Sequence, residues 1–174
     1  MPCSAPLFWA TGTLPESGGY ELLATREVPH AEDLEAWMSQ HARTRPLDLA
    51  PLFSVAAAMH RSGLQHGALL ERNVLLAGRD FFLIDLPRRQ IFRRSIEGRG
   101  PGLFDIKTLV QGLTRYLPDE DLVRGLAGYL RLPVDAAGLV RSLRAHPLSS
   151  RTLNAYGALY TVQSAVERWL ARWR

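Results

Sequence analysis

An α+β fold with helices in the majority is the architecture this sequence predicts, on three observations. Two apolar runs flank a turn rich in Pro, Ser and Gly at the start of the chain. Two shorter apolar runs bracket Gly78-Arg79-Asp80 in mid-chain. Most of the remainder places apolar residues at helical spacing, punctuated by Pro118, Pro133 and Pro147. At 174 residues, with 47% hydrophobic and 22% charged residues, the chain has the length and composition of one globular domain with its own core.

Taken in order, Phe8 to Leu14 and Tyr20 to Val28 are the opening strands, and Pro29, which donates no ladder hydrogen bond, stops the second. AEDLEAWMSQHAR carries acids early and a basic residue late, which suits a short helix and its dipole. Asp48 to Ser62 places Leu49, Leu52, Phe53, Ala56, Met59 and His60 at helical spacing, with Gly63 as the stop. Val74 to Ala77 and Phe81 to Ile84 form a hairpin. Four helices follow, over Leu103 to Leu117, Asp119 to Leu130, Asp135 to Ala145 and Thr152 to Trp173.

Composition narrows the function classes. The one cysteine, Cys3, allows no internal disulfide and no site built on thiolate pairs, which favours a reducing compartment and a cytoplasmic location. The opening MPCSAPLFWATG lacks the basic and apolar regions of a signal peptide. No stretch approaches the ~20 apolar residues of a spanning helix, so membrane contact would be peripheral. The net charge is +4, and Lys107 is the only lysine. Arginine dominance follows either from a GC-rich genome or from a preference for anionic partners such as phosphorylated glycolipid, a membrane surface or nucleic acid. No recognition helix or aromatic RNA-binding motif is present, which argues against nucleic acid.

The stretch richest in chemistry is HRSGLQHGALLERNVLLAGRDFFLIDLPRRQ, from His60 to Gln90. It resembles the catalytic segment of protein-kinase-like enzymes, in which a helix ends in H-x-x-G. A loop H-x-D-x-x-x-x-N follows, then a hairpin that ends in a metal-binding Asp. His60 and Gly63 match the helix end, His66 the loop histidine, Asn73 the magnesium-binding asparagine and Asp85 the metal-binding aspartate. YELLATREVPHAEDLEAW resembles the last N-lobe strand, the hinge and the first C-lobe helix; Leu22, Glu27 and Val28 would border an adenine pocket. Asp105 resembles the aspartate that opens the buried central helix of the C-lobe and bonds back to the catalytic loop. HGALLERNVLL and IDLPRRQIFRR look most like the lipopolysaccharide kinases, which phosphorylate Kdo or heptose of the inner core. The resemblance covers residues 5 to 117 well and the later helices in outline. It implies residual N-lobe strands and hinge over residues 1–30 and a helical C-lobe over residues 31–174.

The same resemblance exposes missing parts. Ala68 stands where the family has the aspartate that accepts the substrate hydroxyl's proton. Glu71 lies nearby in a tight loop, with its side chain pointing elsewhere. No lysine precedes Lys107, so nothing matches the residue that holds the α and β phosphates; the glycine-rich lid and the αC glutamate also lack counterparts. Gly18-Gly19 is turn chemistry. The chain is therefore either a short pseudokinase or a piece of a longer kinase, and Ala68 favours lost catalysis in both cases. Asn73 and Asp85 imply a weak site for Mg and ATP, or else serve as fold staples. Arg88, Arg89, Arg93, Arg94 and Arg99 would face the acceptor or form a solvated loop. Trp169 and Trp173, with arginines between, suit either a membrane interface or packing on the domain. The expected role is a binding or regulatory module in lipopolysaccharide core modification, with a core glycolipid or partner enzyme as its target. The alternative is an active kinase completed by another polypeptide. Unpaired edges on the opening strands would favour a homodimer.

Overall fold

The computed structural model describes residues 6–14, 18–25, 27–86, 90–129 and 135–149, with side chains from residue 27 onward. β1 (Pro6–Leu14) and β2 (Gly18–Thr25) pair antiparallel, Leu22 lying opposite Ala10. β2 closes at Thr25, ahead of Pro29. β3 (Glu32–Asp33) leads into α1 (Leu34–His41), where Asp33 caps the helix by accepting from the Ala36 N–H at 2.7 Å. α2 (Ala50–Arg61) carries Pro51 in its first turn, where the fixed φ of proline suits the helix. It buries Leu52, Phe53, Ala56, Ala57 and His60, the stripe expected of a core-facing helix.

β4 (Leu64–Gln65) leads directly into the loop that starts at His66 and ends in a single 3₁₀ turn, Glu71–Asn73. The expected hairpin forms from β5 (Val74–Ala77) and β6 (Asp80–Leu83), but Ala77 pairs with Asp80, so Asp80 belongs to the second strand and the turn narrows to Gly78-Arg79. β3 joins it through β5, and β7 (Gln90–Ile91) pairs with β4, two small pairings absent from the sequence reading. Two-residue strands carry too little pattern to be seen in sequence.

α3 (Gly100–Leu113), α4 (Asp119–Leu126) and α5 (Ala136–Ala145) complete the described chain. α3 starts three residues earlier than the apolar pattern indicates, because Pro101 initiates the helix, so Asp105 sits in its second turn and does not open it. Asp135 caps α5 by accepting from the Gly138 N–H. The segment Thr152 to Trp173 lies outside the described residues, as do Arg88 and Arg89. The fold is thus α+β, mainly helical, with small antiparallel sheets. Its core gathers Phe53 of α2, Ile106 and Leu109 of α3, Leu122 and Leu126 of α4 and Val140 of α5, each at most 1% exposed.

α4 approaches α2 closely enough that a Cβ on Gly125 would lie 2.6 Å from the Leu49 Cβ and 3.1 Å from Phe53. In an open helix Gly→Ala stabilises by roughly 0.5–1 kcal/mol. Here overlap with the core decides the sign, and Gly125→Ala should destabilise by about 1–3 kcal/mol. A denaturant melt of that variant beside wild type checks this; a gain in stability would show that the α2–α4 contact is loose.

Candidate functional site

The site is organised by the carboxylate of Asp105, which is wholly buried on α3. Oδ2 accepts from the backbone N–H of His66 at 2.8 Å and from His60 Nε2 at 3.1 Å, and Oδ1 accepts from the Gly67 N–H at 3.0 Å. Three donors from the end of α2 and the start of the loop thus converge on one side chain. His60 Nδ1 lies 2.8 Å from the Tyr129 hydroxyl, which also accepts from the Gly98 N–H at 3.1 Å. His60 thus bridges the Tyr129 hydroxyl and the Asp105 carboxylate through its two ring nitrogens. A continuous chain of hydrogen bonds therefore runs from Gly98 through Tyr129, His60 and Asp105 to the loop backbone.

His66 turns its side chain to the strand that follows the loop. Its Nε2–H donates to the Ile84 carbonyl at 3.0 Å, which leaves the buried Nδ1 without a hydrogen-bond partner among the described residues. Burial holds this imidazole below the ordinary histidine range, outweighing the upward pull of the Asp105 carboxylate. It is therefore neutral at neutral pH, fixed as the Nε2–H tautomer.

Farther along, the Ala68 carbonyl accepts from the Leu70 N–H at 2.9 Å and from Asn73 Nδ2 at 2.8 Å. The Asn73 carbonyl in turn accepts from the Ile84 N–H at 3.0 Å, joining the loop to the strand before Asp85. Because Nδ2 is spent on Ala68, the side-chain oxygen of Asn73 has no protein donor among the described residues. Asp85 is exposed, takes φ of +56°, and makes no hydrogen bond or ion pair with a described residue. Two hard oxygen donors, one an uncommitted carboxylate, fit the ligand chemistry of Mg²⁺, which takes most of its remaining ligands from phosphates and water. Among the described residues no three His, Cys, Asp or Glu side chains form a metal cluster.

The methyl group of Ala68, where the resemblance puts a catalytic aspartate, offers no proton acceptor. The loop's carboxylate, Glu71, is 2% exposed. It pairs with Arg115 and presses on Gly112, where any Cβ would overlap its Oε2. Arg115 also donates to the Gly112 carbonyl at 3.2 Å. Glu71 is thus a clamp between the loop and α3. Of the residues expected to border an adenine pocket, Glu27 is exposed and Val28 half-buried, its carbonyl accepting from the Ala31 N–H at 3.3 Å. Leu22 is placed by its backbone register in β2 alone.

Sequence reasoning missed Tyr129 and the Gly112–Arg115 side of the clamp. Tyr129 is 69 positions from His60, and no local spacing links them. Gly112 carried no signal beyond being a helical glycine. Gly63 was read as a helix stop, and it has a second duty: its φ is +83° and its carbonyl accepts from the Phe92 N–H at 2.8 Å, seating β7 beside β4.

Two outcomes follow for stability. Asp105→Ala strands three buried donors and should lower the unfolding free energy by about 3–5 kcal/mol, read from denaturant melts at pH 7. Burial raises the Tyr129 hydroxyl from its ordinary value of 10 to about 12. Its folded value lies above the unfolded one, so its contribution is intact below pH 10 and is lost as pH rises towards 12. Two pH units correspond to about 3 kcal/mol. Wild type should lose that increment between pH 10 and 12, and Tyr129→Phe, weaker at pH 8, should lack that part of the alkaline decline.

The sequence matches the model of the lipopolysaccharide kinase (Kdo/WaaP) family over residues 13–109, more than half of the chain. No curated protein matches it by sequence. Among solved structures, "WaaP in complex with acyl carrier protein" superposes with a TM-score of 0.54 at 22% identity, covering 92% of this chain and 68% of that one. That likeness shows a shared kinase-like fold, and the family match is independent of it. The chain belongs to the lipopolysaccharide kinase (Kdo/WaaP) family.

Proposed function

We propose that this family member is a pseudokinase, a binding or regulatory module in lipopolysaccharide core modification. The observation that carries the reading is Ala68: the loop is pinned by Asp105 at one end and by Asn73 at the other, yet its base position has only a methyl group. The loop's own carboxylate cannot substitute while Glu71 is clamped to Arg115 and Gly112.

In this reading Asn73 and Asp85 retain a weak Mg–ATP site, with Leu22, Glu27 and Val28 bordering the adenine. When bound, the metal would neutralise phosphate charge. His66 would keep the strand before Asp85 fixed to the loop, and Asp105 would keep the loop in register. Residues 1–30 act as remnant N-lobe and hinge, and residues 31–174 as the C-lobe. The target is a core glycolipid or a partner protein at the cytoplasmic side of the inner membrane, with the chain associated peripherally. Among the described residues no helix is long and apolar enough to cross a membrane. A protein partner is supported by the complex of the structural neighbour with acyl carrier protein. A homodimer through the β1–β2 edges would be a further assembly mode. The competing reading, an active kinase completed by another polypeptide, draws on the exposed, uncommitted carboxylate of Asp85.

Calorimetric titration of the purified chain with ATP and magnesium, beside Asp85→Ala, separates these readings when joined to a phosphate-transfer assay on a Kdo- or heptose-containing acceptor. The expected result is weak binding abolished by Asp85→Ala and no transfer. Transfer of phosphate by the chain alone would falsify the pseudokinase reading.

A further inference from the structure

We infer that the β7 segment, Gln90 to Arg94, together with Arg99, is a docking surface for a bilayer rich in anionic phospholipid headgroups. This rests on the membrane-side location in the functional reading above and assigns a surface to it. Ile91 is 78% exposed, and it is the exposed large hydrophobic residue among the described residues. A single exposed isoleucine is ordinary on a protein surface. Its surroundings set this one apart.

Arg93, Arg94 and Arg99 are all exposed, and none forms a side-chain hydrogen bond or ion pair with another described residue. Between Asp85 and Asp105 the sequence has one acid, Glu97. That carboxylate is 5% exposed and accepts from Arg61 at 3.3 Å, so it is turned inward. The charge that the segment presents to solvent is therefore entirely positive, around one apolar side chain. This is the chemistry of a surface that sets guanidinium groups among phosphates and an aliphatic group at the acyl boundary.

Placement strengthens the assignment. Ile91 pairs with Leu64 and Gln90 with Gln65, the residue immediately before His66. The Phe92 N–H donates to Gly63, and the Ile96 N–H donates to the His60 carbonyl at 2.9 Å. The patch is thus anchored to the same backbone that carries the site, and docking would fix the orientation of residues 66–73 relative to the bilayer.

The test is co-sedimentation of the full chain with vesicles of phosphatidylglycerol and phosphatidylcholine, and with vesicles of phosphatidylcholine alone. The wild-type chain should partition onto the anionic vesicles and little onto the neutral ones, with binding weakened at 0.5 M salt, where the screening length falls to roughly 4 Å. At about fivefold per arginine, the double variant Arg93→Gln/Arg94→Gln should weaken binding about twentyfold. Ile91→Ser should weaken it on the order of fivefold. Arg43→Gln/Arg45→Gln removes the same charge from an exposed loop elsewhere and should have a much smaller effect. Equal loss in that control would reduce the effect to net charge and overturn the proposal, as would equal binding to both vesicles or an Ile91→Ser variant that binds like wild type. All these side chains are exposed, so the variants should melt like wild type. Nucleotide titration without vesicles reports on the pseudokinase reading alone, which keeps the two failures distinguishable.

Discussion

Everything around the site depends on one buried carboxylate having its lone pairs filled by donors from two segments. A carboxylate in a water-free interior is tolerated only when hydrogen-bonded, and the number of good partners decides whether it steadies the fold or weakens it. Asp105 receives the His66 and Gly67 amides and the His60 ring, all within 3.1 Å. The amides belong to a loop that could not otherwise satisfy them without water. The loop amides need Asp105 as their acceptor, and the buried carboxylate needs those amides as donors. Neither arrangement is stable without the other, which gives residues 60 to 67 one conformation.

The far end of the loop is fixed by different means. Glu71 fills the space that a side chain at position 112 would take, and Arg115 neutralises it from the partly exposed side. Between these two anchors Ala68 has its carbonyl occupied twice while its side chain carries no functional group. Pinning of the backbone and supply of the reactive group are thus separable. Loss of the second leaves the first intact, because none of the hydrogen bonds that hold the loop passes through the side chain of residue 68.

How far this could be seen in the sequence depended on distance along the chain. The hairpin at Val74 to Leu83 and the helices α2, α4 and α5 follow from apolar periodicity and turn residues, which are local. His66, Asn73 and Asp85 were marked by their spacing within one motif. The start of α3 was misplaced because Gly100 to Gly102 offers no apolar residue to reveal that Pro101 already begins the helix. Tyr129 and Gly112 were invisible for another reason. Their importance comes from partners brought close by tertiary packing, 31 positions away for Gly98 and farther still for His60. Glu71 was seen as a near miss for the base; its structural purpose appears once α3 is laid against it.

Asn73 and Asp85, paired by the motif, stand in different relations to the fold. Asn73 would be kept by folding alone: its side chain closes the turn onto Ala68 and its carbonyl receives Ile84. Asp85 has no such explanation. It sits at φ of +56°, where an L-residue other than glycine is disfavoured by roughly 1–2 kcal/mol and only Asn or Asp is readily accommodated. Its carboxylate makes no hydrogen bond or ion pair with a described residue. Glycine would relieve the strain and asparagine would fit the backbone without the charge. The proposed cation site draws on this open carboxylate beside the loop, whereas the hydrogen bonds of Asn73 serve the loop itself.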